Sequence, residues 1–308
     1  MALISVSIPV YNNQGSLAIT FDRLKKVFSE EIKQHELEVI FVNDGSKDRS
    51  WDELKKIKES NPSYVRLIRF TKNFGQNPAI MAGLRHSRGD CVINISADLQ
   101  DPIELIPKMI REWETGYKIV ACVREGREDA WFRRVPSLIL YSFIHLSVPH
   151  YPVKGFDYFL LGREVLSVVG GYKERHSFIV FNILETGYEP SYIPYTRQKR
   201  VHGRSGYTFF KLLKAAIDNI VNASYLPIRF MTLIGIFTAL ASFVYACSVS
   251  YSRLAHHITI PGYTPVVILI LFFSGLNMLM LGLIGEYLWR TYDQTKARPE
   301  YFILEKID

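Results

Sequence analysis

The stretch SADLQDP, residues 96–102, places two carboxylates and an amide within four positions, directly after the apolar run CVINI. Asp98 and Gln100 offer hard oxygen donors there. Carboxylate and amide oxygens suit Mg2+ or Mn2+, ions commonly shared with the phosphates of a substrate. If the segment stays extended, Asp98 and Gln100 fall on one side, because side chains alternate along extended backbone. Three other short stretches carry comparable groups: PVYN with Pro9 and Tyr11, NDGSKD with Asp44, and TKNFGQNPA with Lys72. A carboxylate such as Asp44 can accept the N–H donors of a base, and an aromatic such as Tyr11 can pack on it. A pyrophosphate then calls for cations: a divalent metal, Lys or Arg. Asp-Gly by itself is a turn signal. Four polar ends on one edge, with glycines that allow close backbone approach, make a binding crevice. Neither GxxxxGK[ST] nor GxGxxG occurs, so a P-loop or a dinucleotide fingerprint is not the means of holding phosphate.

Each of these stretches follows an apolar run that reads as a strand. LISVSIPV, LEVIFV, VRLIRF, CVINIS and KIVACV alternate with helical patterns in QGSLAITFDRLKKVFSEEI, SWDELKKIKES and NPAIMAGLRHS. Apolar strands alternating with helices predict an α/β fold: a mainly parallel sheet covered by helices. In such sheets ligands bind at the carboxyl ends of the strands, where these loops lie.

The chain has 308 residues, 48% hydrophobic and 22% charged, which excludes a disordered polymer and a pure membrane bundle. Its net charge of +7 fits anionic headgroups or phosphorylated small molecules. Nucleic acid is not expected, because the basic residues collect near the apolar segments and the strand-end loops and no recognition motif occurs. Three scattered cysteines form no disulfide framework and suit a reducing compartment. The opening MALISVSIPVYNN reads as a first strand rather than a signal peptide. Two uncharged stretches, 230–251 and 265–285, are each long enough to cross a hydrocarbon core, which takes ~20 helical residues. Lys211, Lys214 and Arg229 precede the first; Arg290, Lys296 and Arg298 follow the second. Positive residues at both outer ends predict a multi-pass protein with both termini and the catalytic domain in the cytoplasm. Amphipathic patterns at 209–225 and 131–148 predict helices lying on the membrane surface or packed on the domain. The expected division is a catalytic domain at 1–208, an interfacial helix at 209–228 and a membrane domain at 229–308. The last contains spans near 230–251 and 265–288 and a cytosolic tail.

SIPVYN, VNDGSKD, KNFGQNPAIMAGL and ADLQDP, in that order and spacing, resemble glycosyltransferase family 2, whose fold is GT-A. The two apolar stretches and the ending GLIGEYLWRTYDQTKARPEY are similar to its polyprenyl-phosphate branch, the bactoprenol glucosyltransferases of O-antigen modification and, more distantly, dolichol-phosphate mannosyltransferase. The resemblance implies transfer of a sugar from a nucleotide diphosphate to a membrane polyprenyl phosphate, with inversion. In a bacterium the acceptor would be undecaprenyl phosphate in the inner membrane; the donor would be a UDP-sugar, with glucose the sugar of the nearest relatives. Carried over by position, Pro9, Tyr11, Asp44, Lys72 and Arg200 would contact the donor nucleotide or its diphosphate. Asp98 and Gln100 would hold Mg2+ or Mn2+, Arg124, Arg133 and Ser137 would take the acceptor phosphate, and Asp157 would be an active-site carboxylate. A homo-oligomer is implied, a tetramer among its forms. The chain departs from the family pattern at Ser96, where Asp is usual, at Phe159, where Arg is common, and at Gly206, where Lys is common. These changes are expected to alter how the sugar is gripped. Two alternatives stay open: a family 2 transferase acting on another glycolipid or polysaccharide, and a catalytically degenerate membrane scaffold.

Overall fold

A computed structural model of the chain describes residues 1–124, 156–172, 179–196, 226–256 and 263–308. The first half alternates as the apolar periodicity requires: β1 (Leu3–Val10), α1 (Leu17–Glu31), β2 (Glu36–Asn43), α2 (Ser50–Ser60), β3 (Val65–Phe70), α3 (Gln76–His86) and β4 (Cys91–Asn94). A 3-10 turn at Ile103–Leu105 leads into α4 (Ile106–Glu114) and β5 (Ile119–Arg124). Then come β6 (Tyr158–Gly162), α5 (Arg163–Gly171), α6 (Ile179–Glu185) and β7 (Pro190–Tyr195). Two long helices, α7 (Leu226–His256) and α8 (Tyr263–Thr295), precede a last strand, β8 (Ile303–Ile307).

The sheet runs β7-β5-β6-β4-β1-β2-β3-β8. β1 is parallel to β2 and β4, β2 to β3, and β5 to β7, whereas β6 and β8 are antiparallel to their neighbours. The sheet is therefore mainly parallel, and the ends of β1 to β5 and of β7 open onto one edge.

Both faces are buried, which explains why the central strands are apolar throughout. On one face Leu17, Phe21, Leu24 and Phe28 of α1, a helical stripe, pack with Trp51 and Leu54 of α2, Ile106 and Met109 of α4, and Ile4, Val6 and Ile8 of β1. On the other face Ile80 and Leu84 of α3 meet Val165 and Val169 of α5 and Ile183 of α6. Cys91 and Cys122 lie within these layers, and burial pushes both thiols well above their ordinary pKa, so they behave as small apolar residues.

Three of these strands depart from the sequence reading. GFDYFLL carries β6, PSYIPY forms β7 at a sheet edge, and the expected tail supplies β8. The chain separates into two compact units, Met1–Lys214 with Arg298–Asp308, and Ala215–Ala297. The last residues thus belong with the sheet rather than with the apolar helices. Within the second unit, the stretch Phe272–Thr295 is long and apolar enough to cross a membrane by length and composition; the apolar part of α7, Met231–Tyr245, is shorter. Of the two expected spans, one among the described residues passes that test. The surface helices expected at 131–148 and 209–225 lie outside the described residues.

Candidate active site

Four loops converge on the sheet edge, and their own side chains lace them together. After β1, Asn12 takes a left-handed backbone (φ 54°) that its short polar side chain tolerates. Its N–H donates to Ser46 Oγ at 3.0 Å, and its Oδ1 accepts the Lys47 N–H at 3.0 Å. These bonds tie the loop after β1 to the loop after β2. Pro9 is half-buried at the end of β1, in register with Val42, and Tyr11 is 44% exposed, its ring available to a planar ligand.

Asp44 is buried at the end of β2. Its Oδ1 accepts the Phe74 N–H at 2.6 Å and its Oδ2 the Gly75 N–H at 3.0 Å. The carboxylate that was expected to meet a base therefore also clamps the loop carrying Lys72. Burial pushes its pKa up to about 6, against the two backbone N–H bonds that pull it down. The folded protein thus holds a proton that the unfolded chain, with an ordinary aspartate, gives up near pH 4. Between about pH 4 and pH 6 the folded state binds more protons, so this group's contribution to stability falls as pH rises through that window. Thermal unfolding of the wild type and of Asp44→Asn over pH 4–7 is expected to show that slope in the wild type only.

Gly45 makes the crossing of these two loops feasible. Its φ is +62°, and a Cβ there would sit 2.4 Å from the Lys72 carbonyl carbon and 2.7 Å from the Asn73 nitrogen. Lys72 is exposed, with Nζ 5.2 Å above the Phe74 ring, in cation–π contact.

The loop after β4 does not stay extended. Asp98 Oδ1 accepts the Gln100 N–H at 3.2 Å, which closes a local turn, and Leu99 takes a left-handed backbone (φ 60°). Asp98 and Gln100 are consequently neighbours across a turn rather than alternate teeth of a strand, and both are half-buried. Ser16, just before α1, and Thr20 in its first turn donate their hydroxyls to the Ala97 carbonyl, at 2.8 and 3.5 Å, and so fix the turn to the helix behind it.

Ser96 stands between two carboxylates. Its Oγ lies 2.8 Å from Asp98 Oδ1 and 2.5 Å from Asp101 Oδ2, and its N–H donates to Asp101 Oδ2 at 3.1 Å. A hydroxyl has one proton, so it serves one of these carboxylates at a time. An Asp at this position would put a third negative group among them. The hydroxyl therefore orients the acidic turn, a role that the expectation of an altered sugar grip had not included.

Buried Asp101 carries the network further. The Tyr195 hydroxyl, at the end of β7, donates to Asp101 Oδ1 at 3.0 Å, and Arg124 Nε, at the end of β5, donates to Tyr195 Oη at 3.4 Å. Arg124 Nη2 meets Asp157 Oδ2 at 2.7 Å, and the Asp157 carbonyl accepts from Asn94 Nδ2 at 2.7 Å. Burial works against the Arg124 cation, but Asp157 and Tyr195 outweigh it and hold the guanidinium above its usual pKa. Burial chiefly, then Asp101, raises the Tyr195 phenol above its ordinary range, so it stays protonated and donates. Arg124, expected to meet an acceptor phosphate, thus stands in an ion pair with the expected active-site Asp157. Tyr195, Asn94 and Asp101 had been given no role: a lone Tyr in PSYIPY and a strand-end Asn belong to no motif, and Asp101 had been noted only as a second carboxylate. Phe159 is fully buried in β6, packed edge-on against Phe156 with ring centroids 6.0 Å apart, so in this chain the position is part of the core. Arg133, Ser137, Arg200 and Gly206 lie outside the described residues.

The sequence profile of Glycosyl transferase family 2 matches residues 5–206, a span that contains every strand-end group above. The chain belongs to that family. Family membership makes it a glycosyltransferase. Among characterised and uncharacterised relatives, a bactoprenol glucosyl transferase of Shigella phage SfX is 35% identical over 302 residues, covering 97% of this chain and 98% of the relative. The uncharacterized glycosyltransferase YkcC of Bacillus subtilis is 35% identical over 301 residues, 97% of this chain and 92% of the relative. The fold is similar to that of glucosyl-3-phosphoglycerate synthase from Mycobacterium tuberculosis, solved with Mn2+, UDP and phosphoglyceric acid. That match has a TM-score of 0.53 at 18% identity, over 72% of this chain and 77% of the other. It supports the GT-A architecture.

Proposed function

We propose that this family 2 enzyme moves glucose from UDP-glucose to a polyprenyl phosphate at the cytosolic face of a bacterial inner membrane, with inversion at the anomeric carbon. The observation that carries the reading is the acidic turn Ser96–Asp101 joined through Tyr195 to the Arg124–Asp157 pair on one sheet edge. An oxygen-rich turn and a cation sit together there, as a donor diphosphate and an acceptor phosphate would require. The likeness to a bactoprenol glucosyl transferase over nearly the whole chain supports the lipid acceptor and the choice of glucose.

Tyr11, Asp44 and Lys72 would receive the nucleotide, with Pro9 shaping the floor and Arg200 reaching the diphosphate. Asp98 and Gln100 would hold the divalent cation. The donor set fits: two oxygens on one turn, with Asp98 oriented by Ser96 and by the Gln100 N–H, leave the remaining positions to phosphate and water, as hard cations of this size favour. Among the described residues no group of three or more His, Cys, Asp or Glu could hold a metal by itself. When bound, Mg2+ or Mn2+ would supply charge neutralisation for the departing diphosphate. Arg124, with Arg133 and Ser137, would orient the acceptor phosphate, which is already anionic at neutral pH and needs no strong base to attack. An arriving phosphate would compete with Asp157 for the Arg124 guanidinium.

For the membrane, the reading takes both α7 and α8 as spans, with the termini and the catalytic unit cytoplasmic. Phe237, Phe243, Met278 and Leu288 are exposed in the second unit, as lipid-facing side chains are. Purified protein in detergent with Mn2+ and radiolabelled UDP-glucose is expected to label undecaprenyl phosphate. UDP binding without transfer to any lipid phosphate would favour the degenerate scaffold instead.

A further inference from the structure

We propose that the segment entering β8, Glu300–Phe302, is a positioning element for the donor nucleotide, acting through the Lys72–Gly75 loop. The proposal rests on the reading above that this loop receives the donor. The loop is held from two sides. Asp44 takes the Phe74 and Gly75 N–H groups on one side. On the other, Tyr301 stacks flat on Phe70, with centroids 4.7 Å apart and planes at 13°. Phe70 meets Phe74 edge-on at 5.8 Å, and Phe74 in turn leans on Phe302 at 6.0 Å. Four rings therefore run without a break from Tyr301 through Phe70 and Phe74 to Phe302, so Phe74, which Asp44 holds by its backbone, is held through its side chain by the segment Glu300–Phe302, the strap.

The backbone makes the same connection. The β3–β8 register shifts between Arg69 and Phe70, so the ladder breaks where the loop begins. Beyond the break the Thr71 N–H still donates to the Phe302 carbonyl at 3.0 Å. The strap is itself anchored: Glu300 Oε1 receives Arg85 Nη2 at 2.8 Å, and Arg85 Nε donates to the Gly170 carbonyl at 2.9 Å. Lys72, whose Nζ rests over Phe74, inherits this order. A flexible, exposed lysine loses less freedom on binding a diphosphate when the ring beneath it is already fixed.

The test uses the full chain in detergent with UDP and Mn2+. Losing the stacked ring in Tyr301→Ala is expected to weaken UDP binding about tenfold and to raise the KM for UDP-glucose in step, with kcat within about threefold. Tyr301→Phe, which keeps the ring, is expected to bind as the wild type does. Tyr301→Leu keeps bulk without stacking, guards against a cavity in the alanine variant, and is expected to show the same loss. Ile307→Ala removes a core contact at the far end of β8 and is expected to lower the melting temperature while leaving UDP affinity unchanged. Equal loss of affinity in Ile307→Ala and Tyr301→Ala, or none in either Tyr301 variant, would overturn the proposal. Lys72→Ala separates the two layers. If it binds UDP normally, the donor-loop reading fails and takes the proposal with it. If it loses binding while Tyr301→Ala and Tyr301→Leu do not, the strap alone is refuted.

Discussion

Replacing Asp98 by alanine is expected to lower sugar transfer at saturating donor by about a hundredfold or more, the scale on which loss of one preorganised charge-stabilising group acts. The fold should survive. Asp98 is half-buried, and among its partners are the Ser96 hydroxyl and the Gln100 N–H, bonds worth about 1 kcal/mol each. Two measurements isolate the cause. Asp98→Asn keeps an Oδ1 that can accept both bonds and removes the charge; it should lose activity nearly as fully as the alanine variant. The stimulation of UDP binding by Mn2+ should shrink in both. An Asp98→Ala protein that transfers sugar at the wild-type rate would remove the acidic turn from the mechanism.

The second large effect concerns backbone. Gly45→Ala is expected to destabilise the protein by about 2–4 kcal/mol, from a left-handed conformation unsuited to a side chain and from overlap with neighbouring atoms. The atoms a methyl would strike are the Lys72 carbonyl carbon, the Lys72 Cα and the Asn73 nitrogen, all main chain, so no rotamer change relieves the contact. The loop must move or the fold must open, and the Asp44 bonds to Phe74 and Gly75 go with it. A melting temperature lower by about 5–15 °C follows for a protein of this size, with UDP affinity reduced as well. An unchanged melting temperature would mean that the two loops do not cross this closely.

The sheet was legible where strands were apolar and bounded by turn residues. β1 to β5 follow LISVSIPV, LEVIFV, VRLIRF, CVINIS and KIVACV because burial on both faces leaves little room for polar side chains. β7 escaped notice because Pro190 and Pro194 argue against a strand; the fold tolerates them because β7 is an edge, where missing N–H donors are not needed by a neighbour. β8 was hidden by position: a short alternating segment after long apolar helices reads as a tail, and only tertiary pairing with β3 makes it a strand. At the site, Asp98, Gln100 and Asp44 announce themselves by motif. Their geometry does not. Side-chain bonds to nearby backbone bend the acidic loop into a turn, and that competition is invisible to a rule of alternation. Tyr195 and Asn94 join the network through pairings between strands far apart in sequence, which no local pattern encodes.

The antiparallel edge strand also orders events during synthesis. Phe70 and its partner Ile303 are separated by more than two hundred residues, including both long apolar helices. At ribosomal speeds of about 5–20 residues per second, the sheet waits on the order of ten to fifty seconds with its β3 flank uncovered. Nascent enzyme thus lacks β8 until the hydrophobic segments have left the ribosome, so a stalled or truncated translation product would carry an exposed, sticky margin rather than a completed sheet.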